Sequence, residues 1–557
     1  MMPASSRIGA GEAVVRVLER AGVGTVFGVI GGSMLELLDA LHDSPISYIG
    51  ARDERAAGHM ADAAARLTGG PGVVLGAQAG PGVANLATAL AEAHLAYSPV
   101  VAIAGAISRS QSGRDTFQEI DQEALLAPVT KRSIRVPHAD RLCELLNEAL
   151  RVAMTGRRGP VVLHVPRDLF ASSVPGNLPR PCGPITAGAP ADWHIKRVKD
   201  LLAVSERPVI VAGGGLKWAR GSSELDHLAR TLDIPVVAAT GHHDVLATDH
   251  PLLAGQAGPR GNRLASRLTR EADFILALGT RLGFNSTFHS ADYVNPHAAI
   301  VQVDIDAMAP GRYFQVTLGI VADAREAARA FLASVPAAAR WQAWTGAFHD
   351  ERLLIEAERE SEARLTGMPL PPTRVLGEIR DALPRDAIVT LDTGAVCLQA
   401  ADRLRFGRCP GFVTPLDFGL VGFGYAAALG AQAAAPGSPV IAIMGDGGFG
   451  LSMIELTTAV QHSLPVIAIV LDNRAWGAEK AYQRDFFDGR YVGADLLNPP
   501  FADYARLVGA NGWRARRPGE TARALLSALE SDKPAVIHVD VDPDAIQSLR
   551  KDLFAKA

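Results

Sequence analysis

Along almost the whole chain, short apolar runs of strand length alternate with amphipathic helical patterns, and that alternation restricts the fold to parallel α/β architecture. In the first third GTVFGVIG, ISYIGARD, GVVLGAQAGPG, PVVAIAGAI and PVVLHVP read as strands. SMLELLDALH and ERAAGHMADAAARLTG read as helices, the second ending at Gly69. A Pro- and Gly-rich stretch from Val174 to Pro190 breaks the pattern and marks a boundary. A second block, Trp193 to Val335, carries the strands RPVIVAGGG, IPVVAAT, FILALGT and AIVQVDID. The charged stretch Trp341 to Leu365, followed by Gly367, Pro369, Pro371 and Pro372, reads as an exposed helical linker. The last block carries AIVTLD, VIAIMGDG, PVIAIVLDN and AVIHVDVD. The expected organisation is α/β, with three doubly wound parallel-sheet domains at 1–180, 190–340 and 368–557.

Length and charge agree with this. At 557 residues the chain exceeds a single core, since a domain takes roughly 150 residues. A net charge of −4 offers no basic footprint for nucleic acid. The four cysteines, Cys143, Cys182, Cys397 and Cys409, lack CxxC pairing and read as free thiols of a reducing compartment. The first residues hold no signal-type apolar run, and the apolar stretches are too short to span a bilayer, so a cytoplasmic protein without a membrane partner is expected.

One segment carries chemistry: PVIAIMGDGGFGLSMIELTTAVQHSLPVIAIVLDN. A buried strand runs to Met444, the turn Gly445–Asp446–Gly447–Gly448 follows, a helix is expected from near Leu451, and a second buried strand delivers Asn473. Neighbouring parallel strands set their C-terminal tips side by side, where open α/β sheets bind ligands. Gly445, Gly447 and Gly450 also satisfy G-x-G-x-x-G, with Asp472 at the distance of a ribose-binding acid, so a dinucleotide site competes. Against it, Asp446 would lie beside the pyrophosphate and repel it unless a divalent cation bridged them. Mg²⁺ takes hard oxygen ligands, one or two carboxylates plus phosphate oxygens. Asp446, the Asn473 side-chain carbonyl and the Ala475 backbone oxygen suit it. A plain strand–turn–helix with a solvated Asp446 is the remaining alternative.

The GDG…N arrangement resembles the diphosphate-binding motif of thiamine-diphosphate enzymes. The segment ARDERAAGHMADAAARLTGGPGVVLGAQAGPGVANL resembles the glutamate-bearing helix and glycine–proline–glycine loop of the acetolactate synthase group. The likeness runs through nearly the whole chain, implying a pyrimidine-binding domain (1–180), a central Rossmann-like domain (190–340) and a diphosphate-binding domain (368–557). It implies thiamine diphosphate and Mg²⁺ as cofactors. It also implies a homodimer or homotetramer with active sites between subunits.

By that resemblance Glu54 is the catalytic carboxyl that hydrogen-bonds the aminopyrimidine ring; a helix-terminal Glu stabilised by the macrodipole is the plainer alternative. Gln118, in DTFQEIDQ, would donate to the substrate carbonyl oxygen, where charge develops. Gly31, Gly32, Gly80, Pro81 and Asn85 would line the pyrimidine side. Asp392, Thr393, Gly394, Gly445, Asp446, Gly447, Gly448, Asn473, Ala475, Trp476 and Gly477 would line the diphosphate side. Leu420 or Val421 would be the apolar wedge that bends the cofactor. Phe117 and Lys131 match the group as well. His59, His242 and His243 have no metal-type spacing and receive no role.

The reaction is narrowed by NRAWGAEKAYQRDFFDGRYVGADL, TTAVQHSLPV and FQEIDQ, which are similar to segments of sulfoacetaldehyde acetyltransferases. That implies a lyase or acyltransferase acting on a small sulfonated aldehyde or 2-oxo acid, with Arg474, Lys480 or Lys131 for sulfonate or phosphate. Ala475 and Ala481 depart from the larger polar residues expected there. An acetolactate synthase-like carboligase or a 2-oxo acid decarboxylase is the alternative. GTRLGFNSTF lacks the acidic pair of the synthases' FAD segment, which counts against a flavin. AGGG and Asp304–Asp306 leave open an adenine nucleotide in the central domain, against a purely structural role.

Overall fold

A computed structural model describes residues 7–181, 183, 185–259, 261–334, 341–415 and 417–548. Cys182 and the end of the second predicted block lie outside the described residues. By their internal contacts the residues form two compact units. One comprises Met1–Ile185, Pro415–Gly437 and Leu451–Val466; the other comprises Thr186–Thr414, Ser438–Gly450 and Ile467–Ala557.

The first unit holds β1 (Arg7–Gly9), β2 (Thr25–Val29), β3 (Ser47–Gly50), β4 (Gly72–Gly76), β5 (Val100–Ala106), β6 (Arg132–Arg135), β7 (Val161–Pro166) and β8 (Ser173–Pro175). Strands β1 and β8 form a small antiparallel ribbon. The others form a parallel sheet in the order β3-β2-β4-β5-β7-β6. Every residue of β4, β5 and β7 is buried, which is why these strands read as continuous apolar runs rather than alternating ones.

Small residues decide how the helices of this unit approach one another. Helix Glu54–Thr68 packs against helix Phe423–Ala434, and a Cβ on Gly430 would lie 2.0 Å from the Met60 carbonyl oxygen. On the neighbouring helix Pro81–Leu95, the Ala89 methyl lies where a Cβ on Gly58 would need to be, 2.5 Å away. The long side chains at this contact are satisfied internally. Arg66 reaches Asp62 at 2.6 Å and Glu92 at 3.3 Å, and its guanidinium lies over Phe423.

The second unit holds two parallel sheets. The first is built from β9 (Pro208–Ala212), β10 (Val236–Ala238), β11 (Leu253–Gln256), β12 (Phe274–Leu278), β13 (Ala299–Asp304) and β14 (Leu318–Val321), in the order β11-β10-β9-β12-β13-β14. That is the strand order of a doubly wound dinucleotide-type fold. The second is built from β15 (Ile388–Leu391), β16 (Phe412–Val413), β17 (Val440–Gly445), β18 (Ile467–Asp472), β19 (Asn511–Ala515) and β20 (Ala535–Asp540), in the order β16-β15-β17-β18-β20-β19. Numbered within its own sheet, this path repeats that of the first unit, 2-1-3-4-6-5 in both.

Two expectations are corrected here. The stretch 341–365 is not an exposed linker: Trp341, Trp344, Phe348 and Ile355 belong to the core under β9–β14. The indole N–H groups of Trp341 and Trp344 donate to the carbonyls of Ser205 and Pro208 at 2.9 and 3.0 Å. Its charges hid an apolar stripe along helix Gln342–Glu362. The helix expected from near Leu451 starts instead at Asp446, where the acidic side chain sits at the positive end of the helix.

Candidate cofactor site

In the first unit the polar groups gather at the C-terminal ends of β2, β3 and β4. Asp53 caps helix Glu54–Thr68 by accepting from the Arg55 N–H at 2.7 Å, which sets Glu54 in the first turn. The Glu54 carboxylate is buried, 7 % exposed, and accepts from the Asn85 amide at 3.0 Å. Gly82 leaves room for it, since a Cβ there would lie 2.7 Å from Glu54 Oε1. The buried Tyr48 hydroxyl, without a hydrogen-bond partner among the described residues, is pushed up to about 12 by burial and then by Glu54.

A chain of amides connects the loops. The Gly32 N–H donates to Gln78 Oε1 at 2.9 Å, and Gln78 Nε2 donates to Gln118 Oε1. The two bonds orient both amides, so the Gln118 NH₂ remains available as a donor. Gln118 has φ 69° and Gly80 φ 72°. A side chain on Gly80 would strike the Gln118 carbonyl at 2.2 Å, so only glycine admits this contact. Pro81 opens the following helix. Gly31 packs on the Ala77 backbone, where a Cβ would be 2.6 Å away. Gln122, not anticipated from sequence, joins the Gly105 carbonyl at 3.0 Å to His164 Nδ1 at 2.9 Å beneath the loop. Leu420 and Val421 are half-buried in the turn before helix Phe423–Ala434.

In the second unit three neighbouring strands, β15, β17 and β18, each deliver an aspartate at the C-terminal tip: Asp392, Asp446 and Asp472. All three are buried. Asp392 accepts from the Thr393 N–H at 2.6 Å, and Gly448 lies against its carboxylate, a Cβ there being 3.0 Å from Oδ2. Gly447 makes room for the Trp476 ring, whereas Gly394 and Gly445 face open space. Asp446 accepts from Asn498 Nδ2 at 2.7 Å. Asp472 accepts from Asn498 at 3.1 Å, from the Arg474 N–H at 2.9 Å and from His538 Nε2 at 2.8 Å.

The electrostatics separate the two acids. Asp446 is pushed up to about 7, first by burial and then by the neighbouring Asp472, against the pull of Asn498. Asp472 is also buried, though less deeply, and is held below the usual range by the His538 hydrogen bond and the Arg474 N–H. Asp446 is thus a buried acid whose charge is poorly compensated by protein, a position that a divalent cation relieves.

Asn473 follows β18, the neighbour of β17, with its carbonyl accepting from the Ala475 N–H at 3.3 Å and its amide beside Gly477. The Asp446 carboxylate meets Asn498 and Asp472, two partners that the sequence pattern did not reveal. Asp472, His538 and Asp540 also lie close enough together to hold a cation. The Asp540 carboxylate, however, already pairs with Arg514 at 2.9 Å and Arg516 at 2.8 Å. The dinucleotide alternative loses its basis. Asp472 is saturated by donors, and Gly450, which should allow close helix packing in that motif, has nothing within 4 Å of a Cβ.

The anion-binding candidates divide. Lys131 spends its ammonium on the carbonyls of Val152 and Thr155, capping helix Leu142–Met154. Lys480 pairs with Asp495 at 2.6 Å beside Tyr491. The Arg474 side chain is exposed and has no partner among the described residues. Phe117 is 83 % exposed. In the central sheet the glycines after β9 pack on backbone: a Cβ on Gly213 would lie 2.7 Å from the Gly279 oxygen, and one on Gly215 2.7 Å from Gly279 Cα.

Three family profiles match in chain order: the thiamine pyrophosphate enzyme N-terminal TPP binding domain over residues 8–125, the central domain over 195–331, and the C-terminal TPP binding domain over 392–539. The chain belongs to the thiamine pyrophosphate enzymes. Sulfoacetaldehyde acetyltransferase of Castellaniella defragrans is 34% identical over 98% of this chain and 95% of that protein. The probable acetolactate synthase large subunit of Methanocaldococcus jannaschii is 33% identical over 96% and 92%. The Escherichia coli acetolactate synthase isozyme 2 large subunit is 32% identical over 95% of each chain. This thiamine pyrophosphate enzyme is therefore one of the acetolactate synthase and sulfoacetaldehyde acetyltransferase group, with its three sheets corresponding to the three family domains. Among the described residues no helix is long and apolar enough to cross a membrane.

Proposed function

We propose that this enzyme is a Mg²⁺-dependent acyltransferase that cleaves a small sulfonated aldehyde and passes the two-carbon acyl unit to phosphate. The observation that carries this reading is the full-length similarity to two proteins named sulfoacetaldehyde acetyltransferase, at 34% and 32% identity. The similar stretch after Asn473 supports it, as does Arg474, an exposed guanidinium with no partner among the described residues and suited to an oxyanion group. In the reaction the C–S bond breaks and sulfite leaves with the bonding pair. The aldehyde carbon gives up its hydrogen as a proton, the carbon that carried sulfur takes up a proton to become the methyl group, and a phosphate oxygen bonds to the former aldehyde carbon, yielding acetyl phosphate.

Asp446, Asn473 and the Ala475 carbonyl would hold Mg²⁺, a set of hard oxygens at the tips of neighbouring strands. Gly394, Gly445 and Gly448 would admit the diphosphate, with Asp392, Thr393, Gly447, Trp476 and Gly477 around it. When bound, thiamine diphosphate supplies a nucleophilic carbon and an electron sink. Glu54 would hold and release a proton at the aminopyrimidine, kept in place by Asn85. Gln118, oriented by Gln78, would donate to the substrate oxygen. Gly31, Gly32, Gly80 and Pro81 would bring backbone close to the ring, and Leu420 or Val421 would bend the cofactor.

We read the domains as 1–180, 190–340 and 368–557. The working form would be a homodimer or homotetramer in the cytoplasm, with Glu54 of one subunit serving cofactor held by another. The second reading is a carboligase joining two 2-oxo acids, favoured by the acetolactate synthase relatives at 33% and 32% identity. Incubation with thiamine diphosphate, Mg²⁺ and either sulfoacetaldehyde or pyruvate, with and without phosphate, separates the two. Phosphate-dependent sulfite and acetyl phosphate support the acyltransferase. Acetolactate and CO₂ from pyruvate, with no sulfite from sulfoacetaldehyde, would overturn it.

A further inference from the structure

We infer that Asn498 is a positioning residue for the metal ligand Asp446, holding its carboxylate in place before the cation arrives. This rests on the reading of Asp446 as the Mg²⁺ ligand. Two buried carboxylates at adjacent strand tips repel each other, and each gains by turning away. Asn498 prevents that with a single amide, donating to Asp446 Oδ2 at 2.7 Å and to Asp472 Oδ1 at 3.1 Å.

The bridge is anchored more firmly on one side than on the other. Asp472 is fixed by the Arg474 N–H and by His538 Nε2, whose ring lies edge-on to Phe501. Counting Asn498, Asp472 accepts from three groups. Asp446 accepts from Asn498, lies within hydrogen-bond reach of Asp472 and has neither a histidine nor an arginine N–H against it, so it keeps coordinating capacity that Asp472 lacks. The saturated acid therefore acts as a post, and the amide transmits its position to the acid that meets the metal. Groups that orient a ligand in this way are typically worth about 10–100-fold in metal affinity.

The decisive measurement is Mn²⁺ binding to the full-length enzyme at saturating thiamine diphosphate, read as the loss of the free-Mn²⁺ paramagnetic signal. Wild type, Asn498→Ala, Asn498→Ser and Asp446→Ala are compared, each with its thermal midpoint in the absence of metal and cofactor. Asn498→Ala is expected to weaken Mn²⁺ about 10–100-fold, with kcat at saturating metal largely retained and the metal-free midpoint near wild type. Asn498→Ser, which keeps a shorter donor, is expected to fall between the two and provides the test should the alanine variant fail to fold. Wild-type Mn²⁺ affinity in the folded Asn498 variants would overturn the inference, as would a lowered midpoint with unchanged affinity. Asp446→Ala keeps the two failures apart: if it binds Mn²⁺ like wild type, the metal assignment itself is wrong.

Discussion

The sheet of β2–β7 and the sheet of β15–β20 follow the same strand path, yet their equivalent tips carry opposite chemistry. In the C-terminal sheet the first, third and fourth strands lead into Asp392, Asp446 and Asp472. In the N-terminal sheet the same three strands lead into Ile30–Gly31, Ala77–Gln78 and Ile107–Ser108, with no acid among them. Of the buried carboxylates at this end, Glu54 follows the edge strand β3 and is met by a neutral amide, while Glu455 is taken up by the Arg52 N–H at 3.0 Å. One tip array is suited to cations and phosphates, the other to a neutral heterocycle with a single proton to exchange. A shared path thus provides places for ligands without deciding which ones.

Breaking the acidic array should have the largest effect. Asp446→Ala is expected to abolish cofactor retention and turnover together, measured by the thiamine diphosphate remaining after gel filtration with Mg²⁺. Glu54→Gln attacks the other array and should separate the two properties. Cofactor stays bound, while kcat falls by about 10²–10⁴-fold, the usual worth of a positioned acid–base group. If both variants lost cofactor equally, the division of labour between the sheets would be refuted. Asn85→Ala sharpens the contrast by removing the donor to Glu54, a loss of about 1.5–3 kcal/mol and so at least a roughly tenfold drop in kcat.

Packing offers a smaller test. Gly430→Ala places a methyl 2.0 Å from the Met60 carbonyl, so a loss of about 1–3 kcal/mol in stability is expected from urea unfolding. A further test reads pH dependence. The N-terminal sheet buries His59, pushed down to about 3 by burial, then by Arg55 and Arg66. It also buries His164, pushed down to about 4 chiefly by burial. Both rings take up a proton near 6.5 once unfolded, so the unfolded chain binds more protons between about pH 6.5 and 4. Stability should be lost as pH falls through that window, by up to about 1.4 kcal/mol per pH unit for each ring. Denaturation midpoints at pH 7, 6 and 5 read the slope, and His164→Asn should flatten it.

What could be read from the residues follows burial. The inner strands, buried on both faces, announce themselves as apolar runs: Val100–Ala106, Phe274–Leu278 and Ile467–Asp472. The strands that the sequence pattern does not reveal are β1 and β8 of the two-stranded ribbon and β6, β11, β14, β16 and β19, which all lie at sheet edges, where pairing on one side alone tolerates short or polar segments such as Arg132–Arg135. Of the site, Gly445–Gly448 and the Glu54 helix were visible because their residue types sit at fixed offsets from strand ends. Asn498, Gln78, Gln122 and His538 were not, being single polar residues in unremarkable surroundings.

By itself the sequence determined the alternation of strands and helices, the buried inner strands, and which acids and glycines stand at the strand tips. These follow from local spacing and the cost of leaving apolar runs in water. Only the tertiary structure decided that Asp446 and Asp472 share one amide, that Gln78 orients Gln118, and that the two outer sheets follow one path. Such pairings join residues tens of positions apart, and only chain folding brings their donors and acceptors within about 3 Å.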